Sequence, residues 1–297
     1  MASPTNPTEP AESRRKFLRR AFLGCAGCGL GTLGYAHFIE PHWLTVERRS
    51  MPIANLPDAL IGKRLVQISD IHVGENLDHQ YIVRAISSIW SLKPDLIVIT
   101  GDLMTCRTDE QVDRTVDVMN QLPAAPFGHF AVLGNHDYGV GWRRNAVAEK
   151  LVLGLENHNI RVLRNEIAEI EGMQLIGVDD LWSGRCQPRV ALEHLQTDMP
   201  AIALCHNPDG ADLPGWDRFR GWILAGHTHG GQCKPPWLDP PILPVRNKRY
   251  AAGEVQLSGG RRMYINRGLG YVRRVRFNCP PEITVFKLQR EMPAQRT

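Results

Sequence analysis

The chain has 297 residues, 43% of them hydrophobic and 22% charged, a composition that excludes disordered, fibrous and collagen-like classes and is long enough for a core without staples. The formal charge is +4, and residues 1–40 carry +2 of it through Arg14, Arg15, Lys16, Arg19 and Arg20 against Glu9, Glu12 and Glu40. So small an excess on the remainder excludes a binder that works through a broad basic face, and no nucleic-acid partner is expected.

Residues 1–13 are rich in Pro, Thr and Ser and lack an apolar period, which predicts disorder. "SRRKFLRR" (13–20) then precedes the glycine-rich apolar run "AFLGCAGCGLGTLGYAHFI" (21–39). Charge before apolar stretch is a secretory order, and Arg14–Arg15 followed by Phe17–Leu18 resembles the twin-arginine signal, which implies a twin-arginine translocase as partner during export. The order argues against a basic amphipathic helix, in which charges and apolar residues interleave. No A-x-A box precedes Pro41, and the run approaches the ~20 residues that span a bilayer. A removed signal and an uncleaved anchor, with membrane association through residues 21–39, therefore both stay open; the periplasm or the outer face of the cytoplasmic membrane is the expected location. "FLGC" around Cys25 resembles a lipoprotein box only faintly.

Residues 41–60 read as a linker, 61–290 as the globular domain and 291–297 as a tail. Five cysteines lie outside the leader (Cys106, Cys186, Cys205, Cys233 and Cys279), an odd number with no C-x-x-C pair, so no disulfide framework is expected.

"KRLVQISDIH" (63–72) is an apolar strand ending in polar residues. "DHQYIVRAISSIWSL" (78–92) puts Ile82, Ala85, Ile86 and Ile89 at helical spacing behind Asp78 as N-cap. "DLIVITGD" (95–102) is a β-branched strand, "DEQVDRTVDVMNQL" (109–122) a helix with Val112, Val116 and Met119 on one face, and "GHFAVLGNHD" (128–137) a third strand. This order predicts βαβαβ with parallel strands covered by helices. "MQLIGVDD" (173–180), "AIALCHN" (201–207) and "GWILAGHTH" (221–229) repeat the habit. The tail pieces "EVQLSG", "RRMYINRG" and "EITVFKL" lack intervening helices and predict a second, partly antiparallel sheet.

The strand ends carry Asp70 and His72, Gly101–Asp102, Asn135–His136–Asp137, His206, and His227 with His229. Ligands of parallel α/β sheets bind beyond the carboxyl ends of the strands. Each residue type alone is weak, since Gly-Asp is usually a turn and a lone histidine is usually a rim residue. Five hits in order at strand ends point to a metal or acid–base site. In "GHTH" the i, i+2 spacing of a strand would turn both histidines to one side and Thr228 away.

The ordered set D-x-H, G-D, G-N-H-D, H and G-H-T-H resembles the calcineurin-like metallophosphoesterase superfamily over most of residues 61–290. With the leader and with "GVDDLWSG", "HNPD" and "GHTHGGQ", the chain is similar to its exported bacterial phosphodiesterase branch. The resemblance implies an α/β fold, a four-layer α/β/β/α sandwich of two mixed β-sheets with a dinuclear metal site at the strand ends. It also implies that Asp70, His72 and His229 serve one divalent ion, that Asn135, His206 and His227 serve the other, and that Asp102 bridges both.

Carboxylate, amide oxygen and imidazole suit Mn, Fe or Zn ions better than Ca²⁺. Two dications against Asp70, Asp102 and a hydroxide leave positive charge for a phosphoester substrate. His136, beside a ligand rather than a ligand itself, is the expected general acid, with Asp137 either orienting its ring or capping the next segment.

Blander readings apply elsewhere. Asp179 and Asp180 read as turn chemistry, Cys205 and Cys233 as packing. Arg246, Arg249, Arg261, Arg262, Arg267, Arg273, Arg274 and Arg276 read as a solvated face. "GDLMTCR" lacks the charged substrate contact that relatives often carry there, so substrate preference does not transfer. Three functions follow: a phosphodiesterase; a UDP-diacylglucosamine-type pyrophosphatase, which would need an apolar groove and a cytosolic face; and a non-enzymatic scaffold, which would typically have lost ligands that this chain keeps.

Overall fold

The computed structural model describes residues 14–105, 108 and 110–291. The expectations for residues 1–13, for Cys106 and for 292–297 lie outside the described residues.

Two six-stranded mixed sheets stack face to face. The first runs β1 (Thr45–Ile53), β12 (Glu282–Arg290), β2 (Arg64–Ile68), β3 (Leu96–Thr100), β4 (His129–Val132) and β5 (Ile160–Val162). The second runs β10 (Gly253–Gln256), β11 (Arg262–Ile265), β9 (Trp222–Ala225), β8 (Ala201–Cys205), β7 (Met173–Val178) and β6 (Glu166–Ile170). In the first sheet β2 to β5 are parallel, as the βαβαβ reading expects. In the second, β7, β8, β9 and β11 are parallel, and β6 and β10 are antiparallel edges.

The period of two sorts the side chains. Val66, Ile68, Ile97, Ile99 and Ala131 face outward to α2 (His79–Ser88), α3 (Glu110–Met119) and α4 (Asn145–Glu156). Leu65, Leu96, Val98, Phe130 and Val132 face Leu175, Ile202, Leu204 and Leu224 of the other sheet. Buried Gln67 joins the sheets, donating to Thr100 Oγ1 at 3.0 Å and to the Ala225 carbonyl at 2.9 Å. Asp78 caps α2 by accepting the Tyr81 amide at 3.0 Å, and Lys93, at φ 49°, turns the chain into Pro94 after a tighter final turn.

Two features differ from expectation. The last apolar piece, β12, lies in the first sheet between β1 and β2, not in the second. Ile283 and Val285 on one face and Phe286 and Leu288 on the other need cover on both sides, which an interior position supplies. Within the stretch read as a linker, β1 pairs with β12 in parallel over nine residues. Its charges and Pro52 hide it from a periodicity test, yet an edge strand tolerates both. The outer cover of the second sheet is thin, namely the four-residue α5 (Pro188–Ala191) with short turns and loops that contribute Trp216, Phe219, Leu243 and Tyr250.

The N-terminal run Arg14–His42, comprising α1 (Arg14–Gly34) and two irregular turns, is long and apolar enough to cross a membrane and is largely exposed. Its end is fixed to the body. The Ala36 carbonyl accepts the Arg276 amide at 2.9 Å, and the buried Glu40 carboxylate accepts the amides of Asn278 and Cys279.

Candidate metal centre

All seven expected ligand residues converge beyond the ends of β2, β3, β4, β8 and β9, and all are buried. His229 Nε2 lies 3.3 Å from Asp70 Oδ1 and 3.0 Å from His72 Nε2. His227 Nδ1 lies 3.2 Å from His206 Nε2. Asp102 Oδ2 stands between these groups, 3.2 Å from His206 Nε2 and 3.6 Å from His72 Nε2. Two triads able to hold an ion result, Asp70–His72–His229 and Asp102–His206–His227; a third set, His72–Asp102–His136, overlaps both.

The convergence has a backbone origin that the strand reading of "GHTH" misses. The chain has left β9 by Ala225, and His227 and His229 sit at φ 69° and 50° around a right-handed Thr228. Asp70, His72 and Asp102 also have positive φ, at 48°, 53° and 51°. Left-handed backbone is costly away from glycine, and its accumulation on five side chains marks a strained, functional end of the sheets. Thr228 does turn away, donating to the Ala251 carbonyl at 2.6 Å. Glycine is required beside these turns: a Cβ on Gly134 would overlap Asp102 Oδ1, and one on Gly226 would overlap Ser69 Oγ and Asp70 Oδ2.

Each histidine is held from behind, as metal-binding imidazoles generally are. His206 Nδ1 donates to the Thr100 carbonyl at 2.7 Å, and His227 Nε2 donates to the Pro244 carbonyl at 3.0 Å. His72 Nδ1 pairs with Thr105 Oγ1 at 2.8 Å, and Arg276 Nη2 stands 3.5 Å from His229 Nδ1. Sequence reasoning missed Thr100, Thr105, Pro244 and Arg276 because none is a strand-end acid or base. Arg276, assigned to a solvated face, is fully buried, and its guanidinium also donates to the carbonyls of Arg267, Gly268, Gly270 and Cys279.

Burial drives His72 and His227 down to about 3 and lowers His229 too, so these rings are neutral and free to donate a lone pair. Burial raises the Asp70 carboxyl to about 7, against the pull of His206. Burial likewise opposes the charged forms of Asp102 and His206, but each stabilises the other enough to hold Asp102 low and His206 high. A cation that replaced the His206 proton would meet the same carboxylate.

His136 stands beside His72 and Trp142, with ring centroids 5.0 and 6.2 Å away, and its amide donates to Asp102 Oδ1 at 2.9 Å. Asp137 does not hold that ring. Its two oxygens accept the amides of Met104 at 3.1 Å and Gly134 at 2.8 Å, so it organises the loop. Both amides lie upstream, so neither bond caps the segment that follows.

Asp179 and Asp180 are buried rather than ordinary turn residues. Asp179 accepts from Tyr138 Oη and the Arg164 guanidinium, while Asp180 accepts the Ser183 amide and is raised by burial to about 6. Trp182, missed in sequence, sets its ring edge-on to His227 at 4.3 Å and packs on Trp142 at 4.9 Å. The two indoles border a cavity of about 540 Å³ that Arg246 and Asp212 also line.

Whether metals fit can be tested on one side chain. Asn135 is fully buried, and neither its oxygen nor its nitrogen has a hydrogen-bond partner. An orphaned buried amide costs about 1–3 kcal/mol. A cation on Oδ1 would satisfy the oxygen, and the surrounding carboxylates and neutral imidazoles suit a borderline divalent ion.

Residues 63–231 match the family model described as calcineurin-like phosphoesterase. The chain is 34% identical to phosphodiesterase YaeI of Escherichia coli strain K12 over 91% of its own length and 98% of the relative's. It is also 34% identical to metallophosphoesterase YkuE of Bacillus subtilis strain 168, covering 93% and 98%. Identity to UDP-2,3-diacylglucosamine pyrophosphatase LpxG of Chlamydia trachomatis serovar D is 28%, covering 85% and 92%.

Proposed function

The chain belongs to the calcineurin-like phosphoesterase family and is a hydrolase of phosphoester bonds, and from that premise we propose that it cleaves phosphodiesters at a two-metal centre with His136 as general acid. The observation that carries this reading is the position of Asp102, whose Oδ2 faces both triads while its Oδ1 holds the amide of His136. Asp70, His72 and His229 would hold one divalent ion, and Asn135, His206 and His227 the other. Asp102 would hold both. Ions bound there would supply positive charge against the phosphoryl oxygens and acidify water for attack.

The remaining work falls to this chain's own groups. Thr105 and the carbonyls of Thr100 and Pro244 keep the rings aimed. His136, half-buried at the rim of the site, donates its ring proton to the departing alkoxide. Asp137 fixes the loop that carries His136, not the imidazole itself. The cavity beside Trp142 and Trp182 accommodates the second organic arm that distinguishes a diester from a monoester.

The test is hydrolysis of matched mono- and diesters by purified protein, with metal analysis of the same sample. Turnover of the diester, lost on chelation and restored by Mn²⁺ or Zn²⁺, is expected. Metal-replete protein that hydrolyses no phosphoester would support the scaffold alternative instead. The similarity to LpxG favours a second reading, cleavage of a nucleotide-linked lipid pyrophosphate, and such a substrate belongs in the same panel.

For localisation, Arg14–Arg15 and the apolar helix behind them support export by the twin-arginine route, with α1 as signal or anchor. Replacing both arginines by lysine should retain the protein in the cytoplasm. Unchanged export of that variant would exclude the route.

A further inference from the structure

The proline-rich loop after the second "GHTH" histidine exposes three large apolar side chains: Trp237 at 98%, Leu238 at 63% and Ile242 at 77% of their full accessibility. Isolated exposed apolar residues are ordinary, but an almost wholly exposed tryptophan beside two aliphatic residues on one short loop is not. The loop is stiffened by Pro235, Pro236, Pro240, Pro241 and Pro244. Its base is tied to the centre, because the Pro244 carbonyl accepts from His227 Nε2. Lys248 Nζ braces it by donating to the Leu243 and Val245 carbonyls.

The loop leaves the body beside the point where the N-terminal helix enters. Lys234 donates its amide to the Phe277 carbonyl, Cys233 bridges Phe277 in parallel, and the neighbouring Arg276 amide bonds the Ala36 carbonyl. Arg276 also reaches His229. The two apolar features are thus each rooted next to one histidine of "GHTH". Because Glu40 and Ala36 fix the helix end directly to the body, a bilayer entered by α1 would lie against this edge of the domain. Exposed cations suited to anionic headgroups lie on or next to the loop: Lys234, Arg246 and Arg249 in the chain around it, and Arg273, whose carbonyl accepts from Gln232 Nε2; the acid within residues 234–249 is Asp239. Tryptophan with aliphatic neighbours and a cationic rim is the composition that settles at a lipid–water interface.

We propose that residues 234–242 form a membrane-docking tip that sets the centre against the bilayer entered by α1, so that the substrate class is a phosphoester carried on a lipid headgroup. The substrate half of this proposal rests on the phosphodiesterase reading; the docking half rests instead on α1 as the anchor.

The experiment uses the full chain in vesicles of phosphatidylcholine and phosphatidylglycerol. Brominated phosphatidylcholine should quench tryptophan emission in the wild type, and Trp237→Phe should remove a clear part of that quenching. The triple variant Trp237→Ser, Leu238→Ser, Ile242→Ser should hydrolyse a vesicle-borne phosphodiester at least tenfold more slowly, while its rate on soluble bis(p-nitrophenyl) phosphate stays unchanged. Quenching that Trp237→Phe leaves intact overturns docking. Equal loss on both substrates overturns it too, since the loop would then shape the centre, and so does a variant that converts a dimer to a monomer, which would make the tip a protein interface. Wild-type protein inactive on every phosphodiester removes the catalytic reading and with it the substrate half, and the quenching result still decides docking.

Discussion

The first sheet, with α2, α3 and α4 on its outer face, delivers Asp70, His72, Asp102, the Asn135 amide and His136 to the centre; the second, covered mainly by loops, delivers three histidines. The carboxylates and the proposed proton donor therefore come from the well-buttressed half. The half with the thin cover adds the other three imidazoles, the indole-lined cavity and the exposed proline-rich loop. A rigid layer positions the charged groups, and loops that pack less regularly are left to meet the substrate.

The largest effect that would sharpen this contrast is expected from Asp102→Asn. Loss of the carboxylate that stands between His72 and His206 should lower kcat on a chromogenic diester by about 10³-fold or more and remove bound metal, read by elemental analysis. A His227→Ala variant that loses as much would argue that the two halves contribute equally. His136→Ala should keep its metals yet lose about 10²–10⁴ in rate, most on alkyl diesters with poor leaving groups. A wild-type rate on such a diester would remove His136 from the acid role. Asp137→Asn should leave the slope of rate against leaving-group pKa unchanged, since that carboxylate touches backbone amides and not the ring.

Packing should show the same asymmetry. Ile86→Ala, on the buried face of α2 in the first half, should cost about 2–5 kcal/mol in denaturant titrations. Leu195→Ala, under the loop cover of the second sheet, should fall at or below the low end of that range. A further effect concerns pH. Burial raises the Asp180 carboxyl above its unfolded value to about 6, so its contribution is fully present below the unfolded pKa and is lost as pH rises through about 6. In metal-stripped protein Asp180→Asn should therefore be neutral near pH 4 and stabilising at pH 8, by no more than about 3 kcal/mol. Thermal melts across that range that run parallel for both proteins would contradict it.

What the sequence by itself determined here is local: the alternation of strand and helix from residue 63 to 137, the Asp78 cap, and the five strand ends that bear acids, an amide and histidines. Strand and helix periods extend over a few residues, and ligand chemistry is carried by residue type, so both can be read along the chain. Tertiary structure alone decided that β12 joins the first sheet and that a charged stretch becomes β1. It also turned Asp137 to the backbone and drew "GHTH" together by left-handed turns instead of strand alternation. The groups that hold the histidines stand 33, 106 and 47 residues away for His72, His206 and His229. Partners at such separations are chosen by which surfaces the packed sheets bring into contact, and no local pattern in the chain encodes that choice.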